Sequence, residues 1–202
     1  MKLRLLLVRH AVTSWNREGR IQGQSDVPLE AEGIEQIKRL AARLDPEPIS
    51  AIYSSDLLRA KQSAELIAKS HNLPILLTPL LREAHFGLWE GLTETDLMQA
   101  GRQDELRRYA RDPYRNRPPG GEKVRAIWSR LNAVRRLIME THKEGTVLVV
   151  GHGSSLRVFL AWAAGGPARS IFAWHLGNAS LSIIEISPNP RIVLVNDTSH
   201  LK

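Results

Sequence analysis

Four short, almost uninterrupted apolar runs constrain this chain more than any other feature: LRLLLVR at 3–9, ISAIYS at 49–54, PILLT at 74–78 and TVLVVGH at 146–152. A strand covered on one face alternates apolar and polar residues, whereas a strand covered on both faces is apolar throughout. The runs therefore predict a largely parallel sheet with helices on both sides. The intervening segments supply those helices. LEAEGIEQIKRLAARL places Ile34, Ile37, Leu40 and Leu44 on one stripe, and SDLLRAKQSAELIAKS opens on Ser55 as the expected N-cap. After Gly121, Val124, Ile127, Trp128, Leu131, Val134, Leu137 and Ile138 recur at steps of three and four, which predicts a long amphipathic helix. Two later alternating runs, ASLSIIEI and RIVLVN, are joined by SPNP and predict a closing hairpin near the sheet edge, where prolines are tolerated.

With 202 residues, 43% of them hydrophobic, the chain can bury a substantial core and is expected to form one domain over 1–202. The one linker-like stretch, DPYRNRPPGGE at 112–122, closes an expected helical cap insertion at roughly 84–120. The chain has no cysteine, which excludes disulfides, thiolate nucleophiles and zinc–thiolate sites together and makes histidine the main candidate nucleophile. No apolar run approaches the roughly 18 residues needed to cross a bilayer, and MKLRLLLVRH is broken by charge too early for a signal peptide. The expectation is a soluble cytoplasmic protein without a membrane partner.

Lysine and arginine exceed aspartate and glutamate, 28 to 21, for a net charge of +7, a balance that favours anionic partners. Six arginines (Arg102, Arg107, Arg108, Arg111, Arg115, Arg117) crowd one segment, interleaved with Asp104, Glu105 and Asp112 and without an aromatic ladder. That pattern predicts a solvated helix face or mobile cover rather than a nucleic-acid surface. A small phosphorylated metabolite is the expected partner.

Ligands of parallel α/β sheets gather at the carboxyl ends of the strands, beside helix N-termini whose free amides suit anions. The first run exits at Arg9-His10, the second leads to Arg59 in the following helix, and the fourth exits at His152 in GHGSS. After the third run, TPLLREAHFGLWEG brings Glu83 to the same rim. Each residue alone has an ordinary reading: a hydrogen-bonded structural histidine, Arg59 paired with Asp56 or Glu65 on its own helix, Glu83 as a surface charge. Together, four separate exits supply the groups needed to hold and transfer a phosphoryl group.

VRHAVTSWN resembles the R-H-G-x-T-x-x-N signature of the histidine phosphatase superfamily, the phosphoglycerate mutase-like family. The resemblance continues in order through IQGQSDVPLEAEGIEQI, YSSDLLRAKQSAELIA, REAHFGLWEG, PPGGE and VVGHGSSLRVFL. It implies a three-layer α/β/α sandwich around a mixed, mostly parallel sheet, with His10 phosphorylated during turnover. Ala11 stands where the family usually has glycine, and Val12 where a glutamate or glutamine is common. The first restricts the backbone beside His10 and the second removes a polar side chain from the pocket mouth.

On this reading a neutral His10 attacks phosphorus and splits one hard displacement into two easier ones, helped if its other ring nitrogen donates to a backbone carbonyl. Arg9 and Arg59 clamp the phosphate, and His152, protonated when phosphate is bound, adds a third cationic contact. The amides following Gly153, at Ser154 and beyond, and the backbone at Gln22-Gly23 complete the cradle. Thr13 and Asn16 reach substrate by resemblance, although Thr13 also suits a turn. Glu83, in a pocket favouring its neutral form, gives a proton to the leaving alkoxide and then takes one from water. His85 is a candidate for the pocket wall, and Trp89 for packing.

No spacing among the seven histidines suggests a metal site and no P-loop is present, so neither metal nor nucleotide cofactor is expected. By the same resemblance, the family's mutases carry a longer insertion between the acid glutamate and the second histidine, so the short interval between Glu83 and His152 implies a phosphatase, similar to the α-ribazole and broad-specificity branches, rather than a cofactor-dependent phosphoglycerate mutase. A phosphoryl-binding scaffold without turnover is the remaining alternative. Either run of the closing hairpin could pair with a second subunit to form a homodimer.

Overall fold

The computed structural model describes residues 2–202. Six strands form one sheet: β1 (Leu3–Arg9), β2 (Ile49–Ser55), β3 (Ile75–Thr78), β4 (Gly145–Gly151), β5 (Leu181–Ile186) and β6 (Pro190–Asp197). Their spatial order is β3-β2-β4-β1-β5-β6. The pairs β1/β4, β2/β4 and β2/β3 are parallel, whereas β5 lies antiparallel to both β1 and β6. The sheet is thus mixed and mostly parallel in its first four strands, as the uninterrupted apolar runs predict.

Successive side chains of a strand point to opposite faces, so an all-apolar strand feeds two cores. In β1, Leu3, Leu5 and Leu7 join one cluster with Val147 and Val149 of β4; Leu6 and Val8 join the other with Leu148 and Val150. Helices α6 (Val124–Thr141) and α7 (Gly153–Ala163) cover the first face through Val124, Ile127, Leu131, Leu156 and Phe159. Helices α2 (Ala31–Leu44) and α3 (Leu58–His71) cover the second through Ile37, Leu40, Ala64 and Ile67. Three layers result. Between β1 and α2 lies the single turn α1 (Ser14–Arg17). Gly33 in α2 lets that helix lie on the loop after β1, since a Cβ there would stand 2.2 Å from the Val12 carbonyl oxygen.

Three local expectations need correction. Ser55 ends β2 rather than capping α3; the N-cap is Leu57, and the Leu58 amide donates instead to Asp26 Oδ1 at 2.6 Å. Leu137 faces solvent, half exposed, although it fits the apolar rhythm of α6. PILLT is not covered on both faces either: β3 is a sheet edge, and Leu76 and Leu77 are exposed. At the opposite side the edge is β6, with Val193 and Val195 exposed, while β5 is enclosed between β1 and β6 and has no free edge for a second subunit.

Between β3 and α6 the chain forms two single-turn 3₁₀ segments, Pro79–Leu81 and Gly87–Trp89, then α4 (Glu94–Gln99) and α5 (Gln103–Arg111). Trp89 is buried and donates its Nε1–H to Glu105 at 3.2 Å, and Tyr109 packs edge-on against both Trp89 and Phe86. Helix α5 buries none of its residues, so its arginines do form a solvated face. No helix among the described residues is long and apolar enough to cross a membrane.

Candidate active site

The carboxyl ends of β1, β2 and β4 meet at one rim because the three strands are adjacent and parallel. His10, just past β1, and His152, just past β4, stand with ring centroids 5.1 Å apart. Both are buried, at 3% and 0% exposure. His10 Nδ1 lies 2.7 Å from the Ala11 carbonyl oxygen. A carbonyl only accepts, so Nδ1 carries the proton and Nε2 keeps its lone pair. Burial pushes the His10 pKa well below the usual histidine value, and Arg59 and Arg9 push it further. Burial, then Arg59, His10 and Arg9, act in the same way on His152. Without a bound anion both rings are therefore neutral, which confines the expected charge on His152 to the anion-bound state.

Arg59 is wholly buried, yet it pairs with neither Asp56 nor Glu65. Its Nη1 donates to Ser25 O at 2.8 Å and its Nη2 to Gly23 O at 2.7 Å. Asp56 instead holds Arg82 through two bonds of 2.8 and 2.6 Å. Burial lowers the Arg59 pKa to about 10, with Glu83 and Asp26 opposing the shift. Arg9 donates to Leu176 O at 2.5 Å, and burial lowers its pKa too. Arg9 Nε, Arg59 Nε and His152 Nδ1 are buried without a hydrogen-bond partner among the described residues. Buried polar atoms are rarely left so. A tetrahedral oxyanion, with acceptors in every direction, suits such a set.

Glu83 reaches the rim from the turn after β3. Its Oε1 accepts from its neighbour Ala84 N at 2.8 Å, and both oxygens accept from Ser154 N, at 3.1 and 3.2 Å. That contact corrects one expectation: the Ser154 amide, at the start of α7, is committed to Glu83 and not free to cradle phosphate. Gly153 lies in the same corner, where a Cβ would stand 3.5 Å from Glu83 Oε2 and 4.0 Å from Arg9 Nε.

Thr13 is buried and serves as the N-cap of α1, its hydroxyl accepting from Asn16 N at 3.3 Å, so the turn role is the one seen. Asn16 Oδ1 receives Thr13 N, Thr13 Oγ1 and Asn178 Nδ2, and the Asn16 side-chain amide donates to none of the described residues. Gln22 is buried, and its Oε1 has no hydrogen-bond partner among the described residues. Gly23 adopts φ +53° and offers its carbonyl to Arg59; a Cβ there would lie 2.0 Å from Glu90 Oε1. Glu90 ties this loop down by accepting from Gln24 N, Ser25 Oγ and Phe86 N. Ala11 adopts no left-handed backbone, so its methyl meets no conformational penalty, and it is fully buried. His85 is half exposed and lines a small pocket with Phe86, Tyr109, Ser154 and Phe172.

The sequence reading passed over several groups now seen at the rim. Ser55 Oγ lies 2.9 Å from His152 Nε2. Asn178 donates to the carbonyls of His10 and Ala11 at 3.1 and 3.3 Å. Arg157 lies within Coulombic reach of Arg9 and Tyr109: it adds to the lowering of the Arg9 pKa by burial, and it opposes the raising of the Tyr109 pKa by burial without reversing it. Ser55 was visible in principle, because it stands at a strand exit like the rest.

Comparison with known proteins gives the family and the fold. Residues 5–198 match the model of the histidine phosphatase superfamily (branch 1), and the chain belongs to that family. It is 32% identical over 200 residues to phosphoserine phosphatase 1 of Hydrogenobacter thermophilus, covering 98% of this chain and 94% of that one. It is 33% identical over 205 residues to the Escherichia fergusonii protein described as "Probable phosphoglycerate mutase GpmB", covering 98% and 95%. The crystal structure of the α-ribazole phosphatase from Shigella flexneri superposes with a TM-score of 0.89 at 30% identity, covering 96% of each chain. The chain is therefore a histidine phosphatase superfamily enzyme, a phosphatase or a mutase.

Proposed function

We propose that this protein is a metal-independent phosphomonoesterase that hydrolyses a small phosphorylated metabolite through a phosphohistidine at His10. The observation that carries the reading is the state of the His10 ring: buried, neutral, with Nδ1 fixed on the Ala11 carbonyl and Nε2 free to attack. Arg9, Arg59 and His152 surround the incoming phosphoryl group with donors. In water a pair of opposite charges about 4 Å apart gains roughly 1 kcal/mol, against about 4 kcal/mol at an effective dielectric near 20, so a buried clamp holds far more tightly than an exposed one.

Attack by Nε2 forms the N–P bond as the ester P–O bond breaks; Glu83 gives its proton to the departing alkoxide. In the second half-reaction the Glu83 carboxylate takes a proton from water, whose oxygen attacks phosphorus and releases phosphate from His10. Asn16, Gln22 and the Gly23 loop border the phosphate, while the small pocket walled by His85, Phe86 and Tyr109 receives the leaving group. Residues 84–120 act as a cap over this pocket within a single domain spanning 1–202.

The second reading, transfer between two positions of phosphoglycerate, is favoured by the name of the E. fergusonii relative. Release of phosphate from p-nitrophenyl phosphate in the presence of EDTA, lost in His10→Ala, is the expected result. Phosphoglycerate supplied with and without a bisphosphoglycerate primer separates the two: phosphate release in both arms supports hydrolysis, and isomerisation that needs primer replaces it with the mutase. A panel of phosphorylated metabolites then identifies the substrate.

A further inference from the structure

One residue that stands at no strand exit, Arg130, spends three of its five donors on the segment that carries Glu83. Arg130, in α6, donates Nη1 to the carbonyls of Leu80 (2.8 Å) and Arg82 (2.7 Å) and Nη2 to the carbonyl of Glu83 itself (3.0 Å). Its Nε and Nη2 also bind Glu122, at 2.8 and 2.9 Å. A guanidinium has five N–H donors, and five acceptors are present. Both side chains are largely buried, at 15% and 16% exposure. Glu122 completes a clasp on the next residues along, since its amide donates to His85 O at 2.7 Å.

A salt bridge made for stability alone would use the two donors facing Glu122. Here three further contacts fall on the carbonyls of residues 80, 82 and 83, a run of backbone without regular secondary structure beyond one 3₁₀ turn. From the other side Gln24 Nε2 donates to the same Glu83 carbonyl at 3.1 Å, and Ser154 N holds the carboxylate. The peptide and the carboxyl group of Glu83 are thus each fixed from independent elements. An acid that must meet a leaving oxygen at hydrogen-bond distance gains from such fixing, because a misplacement of about 1 Å can cost roughly 10²-fold.

We infer that Arg130, braced by Glu122, is a positioning residue for proton transfer by Glu83. The inference rests on the proposed role of Glu83 and extends it to residues that do not touch substrate. It makes a prediction that loss of stability does not. Proton donation matters for an alkoxide leaving group and hardly at all for p-nitrophenolate, so weakened positioning shows as selectivity between esters.

The test measures kcat/KM, which reports formation of the phosphoenzyme, for p-nitrophenyl phosphate and for a simple alkyl phosphate. Glu83→Gln calibrates the scale, with the alkyl ester losing roughly 10²–10⁴-fold and the aryl ester little. Arg130→Met and the milder Arg130→Lys and Glu122→Gln are compared at a temperature where circular dichroism finds each folded. The expected result is the Glu83→Gln pattern in weaker form: about 10²-fold on the alkyl ester for Arg130→Met, less for the other two, and about threefold or less on the aryl ester. Equal losses on both esters, or none on either, overturn the inference. If Glu83→Gln is itself unselective, the proton-transfer reading falls and takes this one with it; a selective Glu83→Gln beside unselective Arg130 variants overturns this inference alone.

Discussion

Arg59 and Arg107 carry the same guanidinium in opposite surroundings. Arg59 is fully buried at the sheet rim with two backbone carbonyls as fixed partners, and its pKa is depressed to about 10. Arg107, on α5, has a 78% exposed side chain that pairs with Asp104, 3.3 Å away and one helical turn back. Both count equally in the net charge. Carbonyl partners orient Arg59 without pairing its charge, and Glu83 and Asp26 act on it only at Coulombic range, so its unpartnered Nε remains for an anion in a site that water scarcely screens. The Arg107 charge is shared with an acid and screened within a Debye length, about 10 Å at 0.1 M salt. The difference teaches that the position of a cation, and the neutrality of what holds it, set its function more than its number in the composition.

The largest effect that would break the comparison is at the buried member. Arg59→Met is expected to lower kcat/KM for p-nitrophenyl phosphate by roughly 10²–10³-fold, the usual cost of removing a donor aimed at developing charge. It should also destabilise the fold, because it leaves the buried Gly23 carbonyl unpartnered at about 1–3 kcal/mol, and the part-buried Ser25 carbonyl unpartnered at a smaller cost. Steady-state kinetics and urea denaturation read the two effects separately. Near-normal activity would mean that the buried guanidinium is structural and that the contrast with Arg107 is one of stability only.

Next comes pH. His10 and His152 are neutral in the fold because burial and neighbouring arginines lower their pKa values, whereas in the unfolded chain they take up protons below about 6.5. The unfolded state then binds more protons, so stability rises with pH across that window and is lost as pH falls from about 6.5 toward the lower folded-state values. Each ring contributes at most about 1.4 kcal/mol per pH unit. His200, less buried, is shifted in the same direction and supplies a background slope. Denaturation measured between pH 7 and pH 5 should lose much of its slope in a His10→Asn, His152→Asn double variant; an unchanged slope would remove the buried rings as its cause.

Much of the rim was legible because it follows from strand geometry. Uninterrupted apolar runs of this length read as strands covered on both faces, which holds for β1 and β4, and the polar residues at the exits of adjacent parallel strands appear at one edge. That logic reaches His10, His152 and Arg9 directly. It fails for contacts made by backbone atoms and by distant side chains. Nothing in the sequence marks the carbonyls of Gly23 and Ser25 as partners of Arg59, or the Ser154 amide as a partner of Glu83 rather than of phosphate. Ser55 was misread because a serine before a helical pattern is a strong cap signal, yet Asp26, from a loop 32 positions earlier, takes that place at Leu58. PILLT misled for a different reason: composition reports that a strand is apolar but not that it stands at the edge of the sheet.

The smallest effect is expected at the exposed arginines. Arg107→Ala with Arg108→Ala should change stability by no more than about 0.5 kcal/mol, as for most surface substitutions. At low ionic strength the pair is expected to lower kcat/KM for an anionic ester a few-fold by weakening attraction into the pocket, and the difference should vanish in salt. An unaltered kcat/KM at low salt would leave α5 without a part in substrate capture and sharpen the contrast with Arg59.

The account stands most directly on the covalent intermediate. Protein mixed rapidly with a phosphoester, quenched in base and digested should yield a peptide bearing one phosphoryl group on His10, absent from His10→Ala, which should also be inactive. Turnover that persists in His10→Ala, or a phosphoryl group recovered on a residue other than His10, would contradict it.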